Sequence, residues 1–234
     1  MLKTIFLFTL TGILMILVTP IGIIAFVLQW VGLRKATRHL SYRTAQFWAI
    51  LVRFISGCPV DLRGKENIPP KKGVCFVSNH GSIFDIILAL AYIGRPFGFI
   101  AKKELLLVPL LNLWIHILGG LFIDRKNPRK ALKTITEGIN RLKKGSSMLI
   151  FPEGHRSRDQ GLLPFHPGSF KLATKSGVPI IPVSIKGSYD VVEKNGRVTK
   201  TPLRVTFGTP INTGEYNTQE LADIARDAVA KGLE

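Results

Sequence analysis

From residue 4 to residue 33 the chain carries no charged side chain, and 30 uncharged, mostly apolar positions in a row leave few folds open. A straight helix of that length would run roughly 45 Å at the helical rise, against roughly 30 Å for the hydrocarbon core of a bilayer. Pro20 falls inside the run, where a proline removes a helical hydrogen bond and divides the segment. Two arrangements follow: one kinked, tilted span, or a re-entrant pair of helices in a single leaflet. The run is too long for a cleaved signal peptide and no small-x-small site ends it. Arg34, Lys35 and Arg38 follow directly, which places that side at the cytoplasm. In residues 36–56, Leu40, Phe47, Trp48, Leu51, Phe54 and Ile55 recur at helical spacing, while Arg38, Arg43, Gln46 and Arg53 occupy other faces. Aromatics and arginines without acids suit an interfacial helix.

Charge sharpens this. The chain holds 32 Lys+Arg against 15 Asp+Glu, a formal +17, with 46% hydrophobic residues and a mean hydropathy of +0.24. Six cations and no acids fall in the first 60 residues, leaving +11 for the rest. The apolar content excludes a disordered basic tail, and the surplus of hydrophobicity argues against a nucleic-acid binder. Long uncharged runs do not recur, so a polytopic membrane protein is excluded as well. An anionic membrane is the expected partner, with acidic substrates and no nucleic acid. The two cysteines, Cys58 and Cys75, match no metal spacing and no disulfide framework. Cys75 sits in an apolar run as a small hydrophobe. A reducing compartment fits.

From Val60 onward the pattern changes. Short β-rich runs at 60–63, 74–78, 97–101, 121–124, 147–151, 180–185 and 203–207 alternate with helical stretches at 83–93, 106–117, 128–142, 168–176 and 218–231. Alternation of this kind predicts an α/β fold, a mostly parallel (mixed) sheet flanked by helices and preceded by the N-terminal membrane-associated motif. The expected division is 1–58 for that helical motif and 59–234 for the α/β domain. Ligands of such sheets collect at the carboxyl ends of the strands.

The chemically informative residues lie at those ends. In Asn79-His80-x4-Asp85, a strand delivers His80 into a turn and Asp85 falls in the first turn of the next helix. A carboxylate on one imidazole nitrogen fixes the tautomer and lets the other act as a base. Ser82-x-x-Asp85 is also a capping box, in which Asp85 merely secures a helix start. In Phe151-Pro152-Glu153-Gly154-His155-Arg156-Ser157, Pro152 and Gly154 force a turn that exposes Glu153 and Arg156, the latter able to bind phosphate bidentately. A structural Glu–Arg pair is the alternative. Gly120-x-Phe122-Ile123-Asp124-Arg125 and Ala101-Lys102-Lys103-Glu104-Leu105 bring further cations to strand ends, and Arg125 taken alone is a surface charge. Val178-Pro179-Ile180-Ile181-Pro182-Val183 is apolar throughout, either a buried strand or a wall for an acyl chain. His39, His116 and His166 belong to no motif.

The segments 79–85, 120–125, 151–157 and 178–183, in that order within residues 74–185, resemble the four blocks of the glycerolipid acyltransferases, and the N-terminal element is similar to that of the bacterial 1-acyl-sn-glycerol-3-phosphate acyltransferases. The resemblance implies acyl transfer from acyl-CoA or acyl-carrier protein to the sn-2 hydroxyl of lysophosphatidic acid, giving phosphatidic acid at the cytoplasmic side of the cell membrane. His80 would be the general base and Asp85 its orienting partner. Lys102, Arg125, Glu153, Gly154 and Arg156 would form the acceptor's phosphate site. No cofactor or metal is implied. His155 stands where a Thr is usual, which puts that position's role in doubt. Glycerol 3-phosphate or another lysophospholipid is the alternative acceptor, and a non-catalytic basic module that binds lipid or nucleic acid is the alternative class.

Overall fold

The computed structural model describes residues 1–70 and 72–234. Seven strands form one sheet: β1 (Val60–Arg63), β2 (Cys75–Ser78), β3 (Phe97–Lys102), β4 (Leu121–Ile123), β5 (Ser147–Ile150), β6 (Ile180–Lys186) and β7 (Leu203–Phe207). Their spatial order is β1-β7-β6-β2-β5-β3-β4. All neighbours run parallel except β6 and β7. The sheet is therefore mixed but mostly parallel, as its sequence pattern predicts.

Side chains alternate across it with the period of two that a strand imposes. Phe76 of β2 and Leu149 of β5 face a core closed by α2 (Arg34–Ser56), α3 (Phe84–Tyr92) and α4 (Leu111–Ile117). Cys75, Val77, Met148 and Ile150 face the opposite core, under α5 (Pro128–Lys143), α6 (Lys171–Ser176) and α8 (Thr218–Leu233). Burial pushes the Cys75 thiol up to about 12, so it packs as an apolar group. A short helix after β6, α7 (Ser188–Val192), has no counterpart among the helical stretches expected from sequence.

Three boundaries differ from expectation, each for a local reason. Pro20 lies inside one continuous helix, α1 (Leu2–Trp30), and does not divide it. A proline forfeits one hydrogen bond, a small loss in 29 residues that Thr19 and Trp114 help to hold in place. The expected helix 106–117 is split into a 3₁₀ turn, Lys103–Leu107, and α4. Pro109 causes this, since the residue before a proline avoids the helical region and Val108 is extended. Pro167 likewise opens a 3₁₀ turn before α6.

The N-terminal hairpin is docked on the body. Thr4 Oγ1 accepts from the Val198 amide at 2.8 Å. Within the hairpin, Trp48 of α2 donates to the Thr11 carbonyl at 3.3 Å. Trp114 of α4 donates to Thr19 Oγ1 at 3.4 Å, and buried Gln29 donates to the Ile117 carbonyl at 3.1 Å. Tyr42, Ala45, Ala49 and Val52 of α2 belong to the same core as the sheet. The outer faces remain apolar: Phe6, Ile16, Leu17 and Ile24 on α1, and Leu40, Phe47, Ile50 and Phe54 along one stripe of α2, are exposed.

Gly98 of β3 lies where the Gly119 backbone crosses it, and a β-carbon there would collide with the Gly119 carbonyl oxygen. Gly98→Ala is expected to cost about 1–3 kcal/mol through overpacking, lowering Tm by about 2–12 °C for a chain of this size. Thermal denaturation checks this; an unchanged Tm would contradict the packing described.

Candidate active site

Five parallel strands, β6, β2, β5, β3 and β4, end on one edge of the sheet, and four of them deliver candidate site residues there. His80 follows β2, residues 151–157 follow β5, Lys102 ends β3 and Arg125 follows β4. With neighbouring strands about 4.8 Å apart, residues 102, 125 and 156 are brought within side-chain reach of one place.

His80 is fixed from three sides. Its Nδ1 lies 2.9 Å from Asp85 Oδ2, and Asp85 is fully buried. The carboxylate only accepts, so the neutral ring carries its proton on Nδ1 and Nε2 is left as the acceptor. The same Oδ2 accepts from the Ser82 amide at 2.9 Å, so the capping role and the dyad role coexist in one oxygen. The imidazole stacks on Phe151, with ring centroids 4.1 Å apart and planes at 22°. Its backbone is held by the third block: the His80 amide donates to Glu153 Oε1 at 2.6 Å, and the Ser157 amide donates to the His80 carbonyl at 2.8 Å. Asn79 acts on the other flank, exchanging hydrogen bonds with the Ile185 backbone of β6 at 2.9 and 2.8 Å.

Glu153 is placed otherwise than expected. It is not exposed by its turn but 1% accessible. Its second oxygen accepts from the Leu163 amide at 3.2 Å. Burial raises its carboxyl above the usual range, and the two backbone donors offset only part of that rise. With both oxygens occupied by backbone donors, it supports His80 and does not face the cavity. The fourth block is the buried strand of the two alternatives: Ile180, Ile181 and Val183 are core residues of β6, and residues 178–183 line no part of the cavity.

Lys102, Arg125, Gly154 and Arg156 do share a cavity with His80. Arg125 Nη1 donates to the Gly154 carbonyl, and Gly154 has φ +79°, a conformation that favours glycine, with the His166 ring beside it. Lys103, not Lys102, is the lysine engaged by Asp124, at 2.8 Å. That contact lowers the Asp124 carboxyl and raises the Lys103 ammonium. His155 and His166 also line the mouth. Sequence gave no sign of His166, nor of Glu193, whose Oε1 lies 3.3 Å from Arg156 Nη1.

Behind His80 the cavity, about 740 Å³, becomes apolar and runs between the sheet and the N-terminal hairpin, past Leu7, Met15 and Val18 of α1, Trp48 of α2 and Trp114 of α4. His80 thus sits where a cationic mouth meets an apolar channel. Among the described residues no group of three or more His, Cys, Asp or Glu side chains is arranged to hold a metal ion.

A family model described as Acyltransferase matches residues 59–186. A chloroplastic 1-acyl-sn-glycerol-3-phosphate acyltransferase of Brassica napus is 30% identical over 89% of this chain, which spans 59% of that protein's length. The 1-acyl-sn-glycerol-3-phosphate acyltransferase of Escherichia coli is 34% identical over 72% of this chain and 69% of its own. The crystal structure of the 1-acyl-sn-glycerophosphate (LPA) acyltransferase of Thermotoga maritima superposes with a TM-score of 0.79 at 27% identity, covering 96% of this chain and 93% of that one. With the strand-end site and the hairpin-backed channel in one fold, this chain belongs to the acyltransferase family.

Proposed function

We propose that the protein transfers a fatty acyl group from an acyl thioester, of CoA or of acyl-carrier protein, to the sn-2 hydroxyl of 1-acyl-sn-glycerol 3-phosphate. The observation that carries this is the position of His80 at the junction of a cationic mouth and an apolar channel. An acceptor with a phosphate at one end and an acyl donor with a hydrocarbon tail both find matching surroundings, and their reacting atoms meet at the imidazole. The names of the relatives support the same acceptor.

The chemistry follows from the geometry. Nε2 of His80 takes the proton of the sn-2 hydroxyl as the oxygen attacks the thioester carbonyl carbon. Asp85, through Nδ1, stabilises the imidazolium that results. The tetrahedral intermediate collapses with cleavage of the C–S bond, and the imidazolium returns its proton to the departing sulfur. Lys102, Arg125 and Arg156 hold the acceptor's phosphate, for which an arginine fork is the best single partner. Gly154, glycine by its backbone conformation, lets Arg125 approach. Glu153 contributes by holding the His80 backbone.

The apolar outer faces of α1 and α2 support a site that works at a membrane surface. Thr4, Thr19 and Gln29 of α1 are hydrogen-bonded to the body, so a bilayer crossing by α1 would draw charged parts of the body in with it. The helix lies instead in the plane of one leaflet, the cytoplasmic one by the positive-inside rule, with the exposed stripe of α2 beside it. The channel is then open to lipid along its α1 and α2 wall.

His80→Ala is expected to lose about 10²–10⁴-fold in acyl transfer, the usual scale of general base catalysis, with folding and vesicle binding retained. Thiol release from acyl-CoA measures it, and wild-type turnover in that variant would overturn the mechanism. Asp85→Asn can keep an oxygen facing His80 and Ser82 but removes the charge, so a loss of about 10²–10³ is expected, comparable to deleting one oriented electrostatic contact. For the hairpin, Leu2→Cys is expected to react with an impermeant thiol reagent only from the side that carries the catalytic body. Reaction from the opposite side would establish a full span.

A further inference from the structure

Glu193 ends the short helix after β6 and belongs to none of the four blocks. Its carboxylate nevertheless reaches two of them. Oε2 accepts from the Ser82 hydroxyl at 2.6 Å, and Oε1 accepts from the Ile83 amide at 2.8 Å, both in the turn between His80 and α3. Oε1 also pairs with Arg156 Nη1 at 3.3 Å. Ser82 is fully buried and its amide donates to the Asp85 oxygen that orients His80. One side chain therefore joins the general base's turn to an arginine of the cationic mouth.

The two attachments are unequal. The contacts to Ser82 and Ile83 are short, and they satisfy groups at the start of a buried helix, where unpaired donors are costly. The contact to Arg156 is a single, longer one to a side chain that is 41% exposed, the kind of surface pair that contributes little. A phosphate offering two oxygens to the guanidinium is the stronger partner. When a phosphate takes Arg156, Glu193 stays with the turn and remains close to the incoming anion, opposing it by like charge.

We infer that Glu193 is a positioning residue that holds the His80 turn and, with the site empty, retains Arg156 until the acceptor's phosphate displaces it. The phosphate then competes with this carboxylate, which sets how tightly a phosphorylated acceptor, and the equally phosphorylated product, is held. This inference rests on the acceptor reading above, since it treats Arg156 as a phosphate ligand.

The test compares Glu193→Gln with Glu193→Ala in the full chain, each also in an Arg156→Ala background. Glutamine can accept from the Ile83 amide and donate to the Ser82 oxygen, so it keeps the turn tied while losing the charge. Glu193→Gln is expected to lower KM for lysophosphatidic acid about 2- to 5-fold, the scale of one surface charge interaction, and to tighten binding of inorganic phosphate, measured by titration calorimetry, by a similar factor. Both gains are expected to vanish when Arg156 is Ala. Glu193→Ala, which releases the turn, is expected to lower kcat at least 10-fold, as loss of a hydrogen bond to a buried donor does. Unchanged KM and phosphate affinity in Glu193→Gln would overturn the inference. So would gains that persist without Arg156, which would mean general electrostatics. The phosphate titration does not depend on turnover: if the wild type fails to acylate lysophosphatidic acid while Glu193→Gln still tightens phosphate through Arg156, the acceptor reading falls and the role of Glu193 stands.

Discussion

The site depends on the oxygen Oδ2 of Asp85, which accepts both from the Ser82 amide and from His80 Nδ1. The first contact secures the start of α3, and the second orients the base. Because the two share an oxygen in a fully buried side chain, the imidazole cannot turn without disturbing the helix behind it. Burial supplies the rest of the rigidity: Phe151 stacks on one face of the ring, while Glu153 and Ser157 clasp the backbone of His80. If His80 acts as the proposed general base, an imidazole kept in one orientation spends no binding energy on finding it.

Around that fixed point, the parallel sheet does the collecting. Strands β2, β5, β3 and β4 are neighbours in space but far apart in sequence, and their common direction turns four separate motifs into one mouth. The hairpin of α1 and α2 forms the opposite wall. It lines the channel on its inner side and presents apolar side chains outward, which on the proposed reading suits a hydrocarbon tail inside and a membrane outside.

Much of this was legible from residues alone. The central strands β2, β5 and β6 stand where apolar runs occur and β7 where apolar and polar residues alternate, since such segments between turn residues carry a strong local signal. His80 and Arg156 were visible because turn residues punctuate their strand ends, whereas Arg125 read as a surface charge until the resemblance of its block marked it. What sequence could not show depends on tertiary contact. Glu153 reads as an exposed turn residue, and only the approach of the His80 and Leu163 amides explains its burial. Pro20 reads as a divider, yet α1 packed against Trp114 carries it. Glu193 and His166 have no local signature at all; each matters through a neighbour more than ten residues away.

The central claim is that the cations at the strand ends recognise a phosphomonoester while His80 activates the hydroxyl beside it. It is tested most directly by comparing kcat/KM for lysophosphatidic acid with that for the same 1-acylglycerol without phosphate, using purified protein in vesicles and one defined acyl-CoA. Two charge-assisted hydrogen bonds at about 1.5–3 kcal/mol each predict a preference of about 10²–10⁴ for the phosphorylated acceptor. Equal values for the two acceptors would contradict the account.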